Sequence, residues 1–379
     1  MMGSSRQILL KLVRMAMGWE SVYSLPEEID WSEVMDLSHE QGVAAIVLDG
    51  YEVYLKKNPQ EKTFLALPEN KPLKARVLGR LNGIENSYQN HLSALSSLSD
   101  CLSVKGIPFL VLKGFSCSRY YPIPEHRGCG DIDIYPGQRF SESNKALHNK
   151  GVNVDPHYYR HSVSKINNVT IENHRVLCDL RGPRKQTRDL ENQLELLANK
   201  SIETGERMTI NGMAIPGAFI PSAMFNSLFL PWHVSAHFEF ERVTVRHLLD
   251  WALFLIHEGK SIDVDILMNA KKQYTYGVSK FIDILTNLSL RYLCIPTEGI
   301  PIEIITDAVN CDYNLADKVL DYMFVGKPRE RDENVWKFRL NNMRRIWQER
   351  WKYQDLYGMN VFSFMYYKMK GVLFGVGES

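Results

Sequence analysis

A short alternating segment near the middle of the chain, Asp131-Ile132-Asp133-Ile134, constrains the fold more than any other feature. Successive side chains of a β-strand point to opposite faces, so both carboxylates must share one face and both isoleucines the other. Two carboxylates held that close repel each other, and a bound hard cation such as Mg²⁺ or Mn²⁺ relieves the repulsion. The segment therefore predicts a metal-binding strand, although a solvated strand edge gives the same pattern.

The patterns on either side of this segment predict an α+β fold in three parts. Residues 1–105 have the apolar spacing of helices, and so do residues 219–379. Residues 106–218 contain short apolar runs and hairpin signals instead. We therefore expect an N-terminal helical region, a small mixed-sheet core and a C-terminal helical domain.

Two helix signals stand out in the N-terminal region. Asp30, with Glu33 three residues later, resembles a capping box and predicts a helix that runs toward Val47. A longer apolar stripe covers residues 81–102, and the glycine of Lys105-Gly106 predicts its end.

The central region combines strand, helix and turn signals. A continuous apolar run at residues 108–112 predicts a buried strand, and residues 141–150 predict a helix closed by a glycine. Hairpins are expected at Asn167-Asn168 and at Asn211-Gly212.

Composition narrows the classes of function. The chain has 379 residues, with 45 Lys and Arg against 44 Asp and Glu, so no overall positive field attracts nucleic acid. The six cysteines have neither the spacing of a metal site nor the density of a secreted disulfide scaffold. No apolar stretch approaches the ~20 residues of a membrane span. We expect a cytoplasmic protein with reduced thiols; its oligomeric state is left open.

Phosphate-binding signals precede the acidic segment. A buried strand runs into Lys113-Gly114, and such a glycine turn exposes backbone N–H groups that can hold phosphate. Arg127 lies just before the acids and can clamp phosphate oxygens, as Lys113 can with a point charge. The structural alternative is that each cation is an ion-pair partner of the aspartates.

These residues together resemble a known family. The order Leu112-Lys113-Gly114, Tyr120-Tyr121-Pro122, Arg127 and Gly130-Asp131-Ile132-Asp133-Ile134 is similar to that of the uncharacterised bacterial nucleotidyltransferases of the polymerase-β superfamily. The likeness extends weakly over most of the chain. It implies a polymerase-β-type core that binds a nucleoside triphosphate such as ATP at Lys113, Gly114 and Arg127.

The resemblance also implies a third acid from a later strand, in a Glu-Leu-His-like motif. The match is Glu172-Asn173-His174, where strand alternation places Glu172 on the face opposite Val169 and Ile171. Asn173 departs from the usual leucine, which leaves Asp179 as the alternative third acid. A second departure is that Phe115 separates the glycine from Ser116, so Ser116 is assigned no role.

The chemistry implied by the resemblance is nucleotide transfer to an acceptor hydroxyl, with release of pyrophosphate. Asp131, Asp133 and Glu172 would be the ligands of Mg²⁺ or Mn²⁺, and Glu172 would assist deprotonation of the acceptor. Two alternatives remain open. One is a nucleotide-binding or interaction protein without turnover, and the other is an RNA-directed nucleotidyltransferase, which the neutral net charge disfavours.

Three further features have competing interpretations. His233 and His237 are spaced like metal ligands but lack the glutamate of a zinc motif, so they line the substrate pocket or belong to the core. Arg246 and Asp250 are interpreted as a pair within one helix. A C-terminal helix combines an apolar stripe with basic neighbours, and either packs on the core or contacts nucleic acid or membrane. Its residues are Trp336, Lys337, Arg339, Leu340, Met343, Arg344, Arg345, Trp347, Arg350 and Trp351.

Overall fold

The structure is a computed structural model that describes residues 3–156, 159–178, 184–210, 212–326 and 335–366. Asp179, the alternative third acid, lies outside these residues. So do Asn211 of the second expected hairpin and the side chains of Trp336, Lys337 and Arg339.

The N-terminal region is helical, as predicted. Its helices are α1 (Ser4–Ala16), α2 (Trp31–Glu40), α3 (Ala44–Lys57) and α4 (Lys71–Ser103). Asp30 caps α2 by accepting a hydrogen bond from the backbone N–H of Glu33. The helix expected to continue toward Val47 is interrupted, however, because Gly42 adopts a φ of +69° and α3 begins a new direction. The helix α4 ends as predicted, with Gly106 at a φ of +58°.

The central region contains all the strands of the described part of the chain. Its elements are β1 (Phe109–Leu112), α5 (Lys113–Cys117), β2 (Asp131–Tyr135), α6 (Phe140–Asn149), β3 (Val154–Asp155), β4 (His161–Ile166), β5 (Val169–His174), α7 (Arg184–Thr204), β6 (Arg207–Ile210) and β7 (Met213–Phe219). The strands form one mixed sheet in the order β3-β4-β5-β2-β1-β7-β6. Asn167 and Asn168 have φ of 50° and 63°, as a tight hairpin between β4 and β5 requires.

The two faces of the sheet bury different clusters of apolar side chains. Ile132 and Ile134 of β2 pack with Leu98 of α4 and Leu147 of α6. Leu110 of β1 faces the other way, into the larger cluster that both helical regions share. Because Asp131 and Asp133 alternate with the isoleucines, they lie on the same face of the sheet as Leu110.

The C-terminal region is helical, again as predicted. Its helices are α8 (Ala223–Phe240), α9 (Val245–Glu258), α10 (Val264–Gln273), α11 (Ser279–Leu288), α12 (Ile302–Val309), α13 (Tyr313–Val325) and α14 (Val335–Gln348). Among the described residues, no helix is both long enough and apolar enough to cross a membrane. The α+β class is therefore confirmed, while the boundaries after residues 105 and 218 remain predictions.

The basic aromatic helix, α14, packs less fully than a core helix does. Leu340, Met343 and Trp347 are 57%, 49% and 49% exposed, whereas Ile346, and Trp351 beyond the end of the helix, pack against the core. Core packing therefore accounts for only part of its apolar stripe.

Close packing of α1 on α3 generates the first prediction. A methyl group at Gly50 of α3 would collide with the carbonyl oxygen of Leu12, whereas nothing lies within 4 Å of one at Gly83 of α4. We expect Gly50→Ala to lower the free energy of unfolding by about 1–3 kcal/mol or more, as overpacking does.

Gly83→Ala is the matched control, because both glycines lie inside helices. It should raise stability by about 0.5–1 kcal/mol through helix propensity. Urea unfolding of both variants measures the difference, and a Gly50→Ala protein as stable as the control would contradict the packing.

Candidate active site

Three acids meet on the sheet where β2 lies between β1 and β5. Asp133 pairs in register with Leu112 of β1 and with Glu172 of β5, and Asp131 pairs with Thr170. One carboxylate oxygen from each of Asp131, Asp133 and Glu172 lies within 4.8 Å of the others. The structure therefore brings together the three residues that the sequence suggested as metal ligands.

Asp133 is the most deeply buried of the three acids, with 1% of its side chain exposed. Its Oδ1 lies 2.8 Å from His174 Nε2, and its Oδ2 lies 2.9 Å from Lys113 Nζ. Burial disfavours the charged carboxylate, but Lys113 and His174 outweigh that cost and hold the pKa of Asp133 below its ordinary value. Burial, reinforced by the charge of Asp133, raises the pKa of Asp131 instead.

Lys113 is placed by an unusual backbone conformation directly after β1. Its φ is +31°, a region that residues other than glycine seldom adopt and that is often found at functional sites. Burial opposes its charge, but the nearby Asp133, Asp131 and Glu172 raise its pKa. Lys113 is thus an ion-pair partner of the acids in this structure, and its contact with phosphate remains a prediction.

The residues after Lys113 form a tight turn next to the acids. A Cβ at Gly114 would lie 3.3 Å from Cys129 Sγ and 3.7 Å from Nη1 of Arg127, so little space remains for a side chain there. Ser116 is buried and donates a hydrogen bond to the backbone oxygen of Lys113. This contact gives Ser116 a local structural role, in keeping with its lack of an assignment from sequence.

Arg127 joins the central region to helix α9 through Asp250. Its Nε and Nη2 donate to the two carboxylate oxygens of Asp250, at 3.1 and 2.5 Å, and the Tyr121 hydroxyl donates to the same carboxylate at 2.7 Å. Both Arg127 and Asp250 are almost fully buried. The structure therefore gives Arg127 a bidentate ion pair with Asp250, the acid that the sequence analysis paired with Arg246. Its Nη1 donates to the backbone oxygen of Gly128 at 3.1 Å, and its contact with phosphate remains a prediction.

Arg246 was not identified as a site residue from the sequence, and its proposed pairing with Asp250 is wrong. It donates instead from Nη1 to the backbone oxygen of Gly128 at 2.9 Å, while its buried Nε has no hydrogen-bond partner. Burial and the neighbouring Arg127 lower its pKa. The sequence signal available was its position one turn before Asp250 on the same helix.

A cleft of about 420 Å³ opens beside these residues. Its lining includes Lys113, Gly114, Arg127, Asp131, Asp133, His233, His237, Arg246 and His247. A larger cavity of about 1190 Å³ lies beside Trp31 and Phe64. None of the possible metal ligands that converge within the described residues borders that cavity. The smaller cleft is therefore the candidate site, because it adjoins the three acids.

The histidines of α8 and α9 form one wall of the cleft. The rings of His233 and His237 are 4.4 Å apart, and His247 lies 6.3 and 6.0 Å from them. Burial holds the pKa values of His233 and His247 well below the ordinary range. Within the described residues they are not part of a group of three ligands whose atoms converge, and all three line the cleft.

A match to a protein-family model identifies the class to which this protein belongs. The family model described as uncharacterised nucleotidyltransferase matches residues 27–289, which is more than half of the chain. The protein belongs to this family, and membership supports nucleotide transfer in general. No curated protein and no solved structure shows a significant match.

The contrast between the two arginines generates the second prediction. Arg127→Ala leaves Asp250 buried with an unpaired charge, so we expect the free energy of unfolding to fall by about 3–5 kcal/mol. Arg246→Ala is the matched control, because Arg246 has no carboxylate within ion-pair distance among the described residues. It should cost about 1 kcal/mol, the value of one hydrogen bond. Equal losses in denaturant unfolding would contradict this division of roles.

Proposed function

We propose that the protein is a metal-dependent nucleotidyltransferase that transfers a nucleotide from a nucleoside triphosphate to an acceptor hydroxyl. The observation that carries the proposal is the convergence of Asp131, Asp133 and Glu172 beside a cleft lined by Lys113 and Arg246. The acidic side chains can bind a metal ion, and the basic side chains beside them can bind the phosphates of an anionic donor, so the reaction's two requirements lie next to each other.

The donor set fits Mg²⁺ or Mn²⁺, because all three ligands are hard carboxylate oxygens. Asp131 lines the cleft and Glu172 is partly exposed, while Asp133 is held in place by its neighbours. A metal ion bound here would neutralise charge on the triphosphate and on the attacking oxygen. The other contributions to the reaction come from the protein's own side chains.

The proposed reaction is a substitution at the α-phosphorus. The acceptor oxygen forms a bond to that phosphorus, the bond to the bridging oxygen breaks, and pyrophosphate leaves. Glu172 takes the hydroxyl proton. Arg246, whose Nε has no partner, and Lys113 bind the phosphate oxygens, and the rate comes mainly from positioning and charge stabilisation.

A second candidate, a nucleotide-binding protein without turnover, is supported by one observation. Lys113 and His174 already neutralise Asp133, so this acid is stable in the fold without a metal ion. Activity measurements separate the two candidates. The acceptor, whether a small molecule, a protein or an RNA end, is open under both.

The third prediction tests the metal ligands through Asp131, which has no ion-pair partner within the described part of the chain. Asp131→Asn should lower transfer by about a hundredfold or more, because a metal clamp contributes several kcal/mol and about 1.4 kcal/mol corresponds to tenfold. The assay incubates the protein with each α-labelled triphosphate, Mg²⁺ or Mn²⁺ and a cell extract, and follows label in the product.

Asp100→Asn is the matched control, because Asp100 is an exposed acid on α4. It should keep full activity. Turnover in Asp131→Asn equal to that of the control would exclude the mechanism, and nucleotide binding without turnover in the unaltered protein would favour the second candidate.

The fourth prediction concerns Lys113, which contacts acids in this structure but phosphate in the proposed reaction. Lys113→Met removes a positive charge 2.9 Å from Asp133, so Mg²⁺ should bind about tenfold more tightly in the absence of nucleotide. Nucleotide should bind more weakly by about 1.5–3 kcal/mol, the contribution of a hydrogen bond to a charged group.

Calorimetric titration of each ligand measures the two affinities separately. A folding defect would weaken both, so the opposite signs are diagnostic. Unchanged nucleotide affinity would mean that Lys113 serves only as the ion-pair partner of Asp133.

A further inference from the structure

A second group of possible metal ligands lies on the outer side of Glu172. His161 of β4 pairs directly across the sheet with His174 of β5, and Glu172 lies two residues before His174. The Nε2 atom of each histidine is 3.7 Å from a different carboxylate oxygen of Glu172. One ligand atom from each of the three side chains lies within 4.8 Å of the others. Two imidazoles therefore converge on one carboxylate.

The chemistry of this group differs from that of the three acids. The acids offer only oxygen, which suits Mg²⁺, whereas two imidazole nitrogens with one carboxylate suit transition metals and zinc. Access is possible because His161 and Glu172 have 19% and 24% of their side chains exposed, while His174 is buried. Two ligands thus reach solvent, and one is fixed by the fold.

We propose that His161, Glu172 and His174 form a second cation site, which takes a divalent transition-metal ion or Zn²⁺. The site shares Glu172 with the three-acid group but stands independently of nucleotide transfer. A cation at His174 Nε2 displaces the proton that this nitrogen shares with Asp133 Oδ1, 2.8 Å away, and the proton passes to solvent. The ion would fix the carboxylate of Glu172 between the two groups.

The experiment titrates chelator-stripped protein with Co²⁺ and follows the visible absorption that nitrogen ligands give this ion. His161→Gln removes one ligand of the second site only, and Asp131→Asn removes one ligand of the three-acid group only. His148→Gln is the matched control, because His148 is exposed on α6. Thermal unfolding of each variant confirms that it folds.

We expect His161→Gln to weaken at least tenfold the Co²⁺ binding that gives the visible absorption, while Asp131→Asn and His148→Gln keep that absorption and its titration midpoint. His161→Glu, which restores an oxygen ligand, should recover much of the affinity with altered absorption. Unchanged binding in His161→Gln, or an equal loss in Asp131→Asn, would overturn the second site.

The outcomes separate this site from the proposed function. If neither the unaltered protein nor any variant transfers nucleotide, and only His161→Gln loses Co²⁺ binding, the proposed function fails and the second site stands. If Asp131→Asn loses transfer and His161→Gln keeps its Co²⁺ affinity, the proposed function stands and the second site fails.

Discussion

The site depends on neutralising one buried charge, the carboxylate of Asp133. An isolated buried carboxylate is strongly unfavourable unless it is paired and hydrogen-bonded. Its two partners come from the strands on either side of β2: Lys113 follows β1, and His174 ends β5. The charge is therefore tolerated only when the three strands are in their observed register. The same register brings Glu172 beside Asp133, so the pairing that stabilises the sheet also assembles the acids.

The site also connects the helical regions at the two ends of the chain. Gln41, in the turn between α2 and α3, accepts a hydrogen bond from the backbone N–H of Val245 and donates one to Met323. Gly42 beside it packs next to Arg246, since a Cβ there would lie in van der Waals contact, 3.4 Å from that side chain. Because α9 carries both Arg246 and Asp250, the N-terminal helices help to position the basic side of the cleft.

The local sequence pattern was enough to predict the features that depend on residues close together in the chain, such as strand faces and turns. Strand alternation placed Asp131 and Asp133 on one face and Glu172 on the matching face of β5, and the Asn167-Asn168 turn was recognised from its residues. The ion pair of Arg127 with Asp250 spans 123 positions, and no periodicity encodes a contact at that separation. The partner of Asp250 was therefore assigned wrongly to Arg246, which lies one turn earlier on the same helix. The pairing of His161 with His174 was missed for a different reason: the hairpin was predicted, but its length was not used to align the strands.

The distribution of charge suggests how metal and nucleotide would depend on each other. Without a cation, Lys113 compensates the acids and is not free to bind phosphate. A metal ion at the acids would take over that compensation and release the ammonium toward the cleft, where Arg246 already lies. Binding of either ligand then favours the other, and linkage requires the coupling to be equal in both directions. On the proposed function, the ion pair between Lys113 and Asp133 thus couples the binding of the metal ion to the binding of the triphosphate.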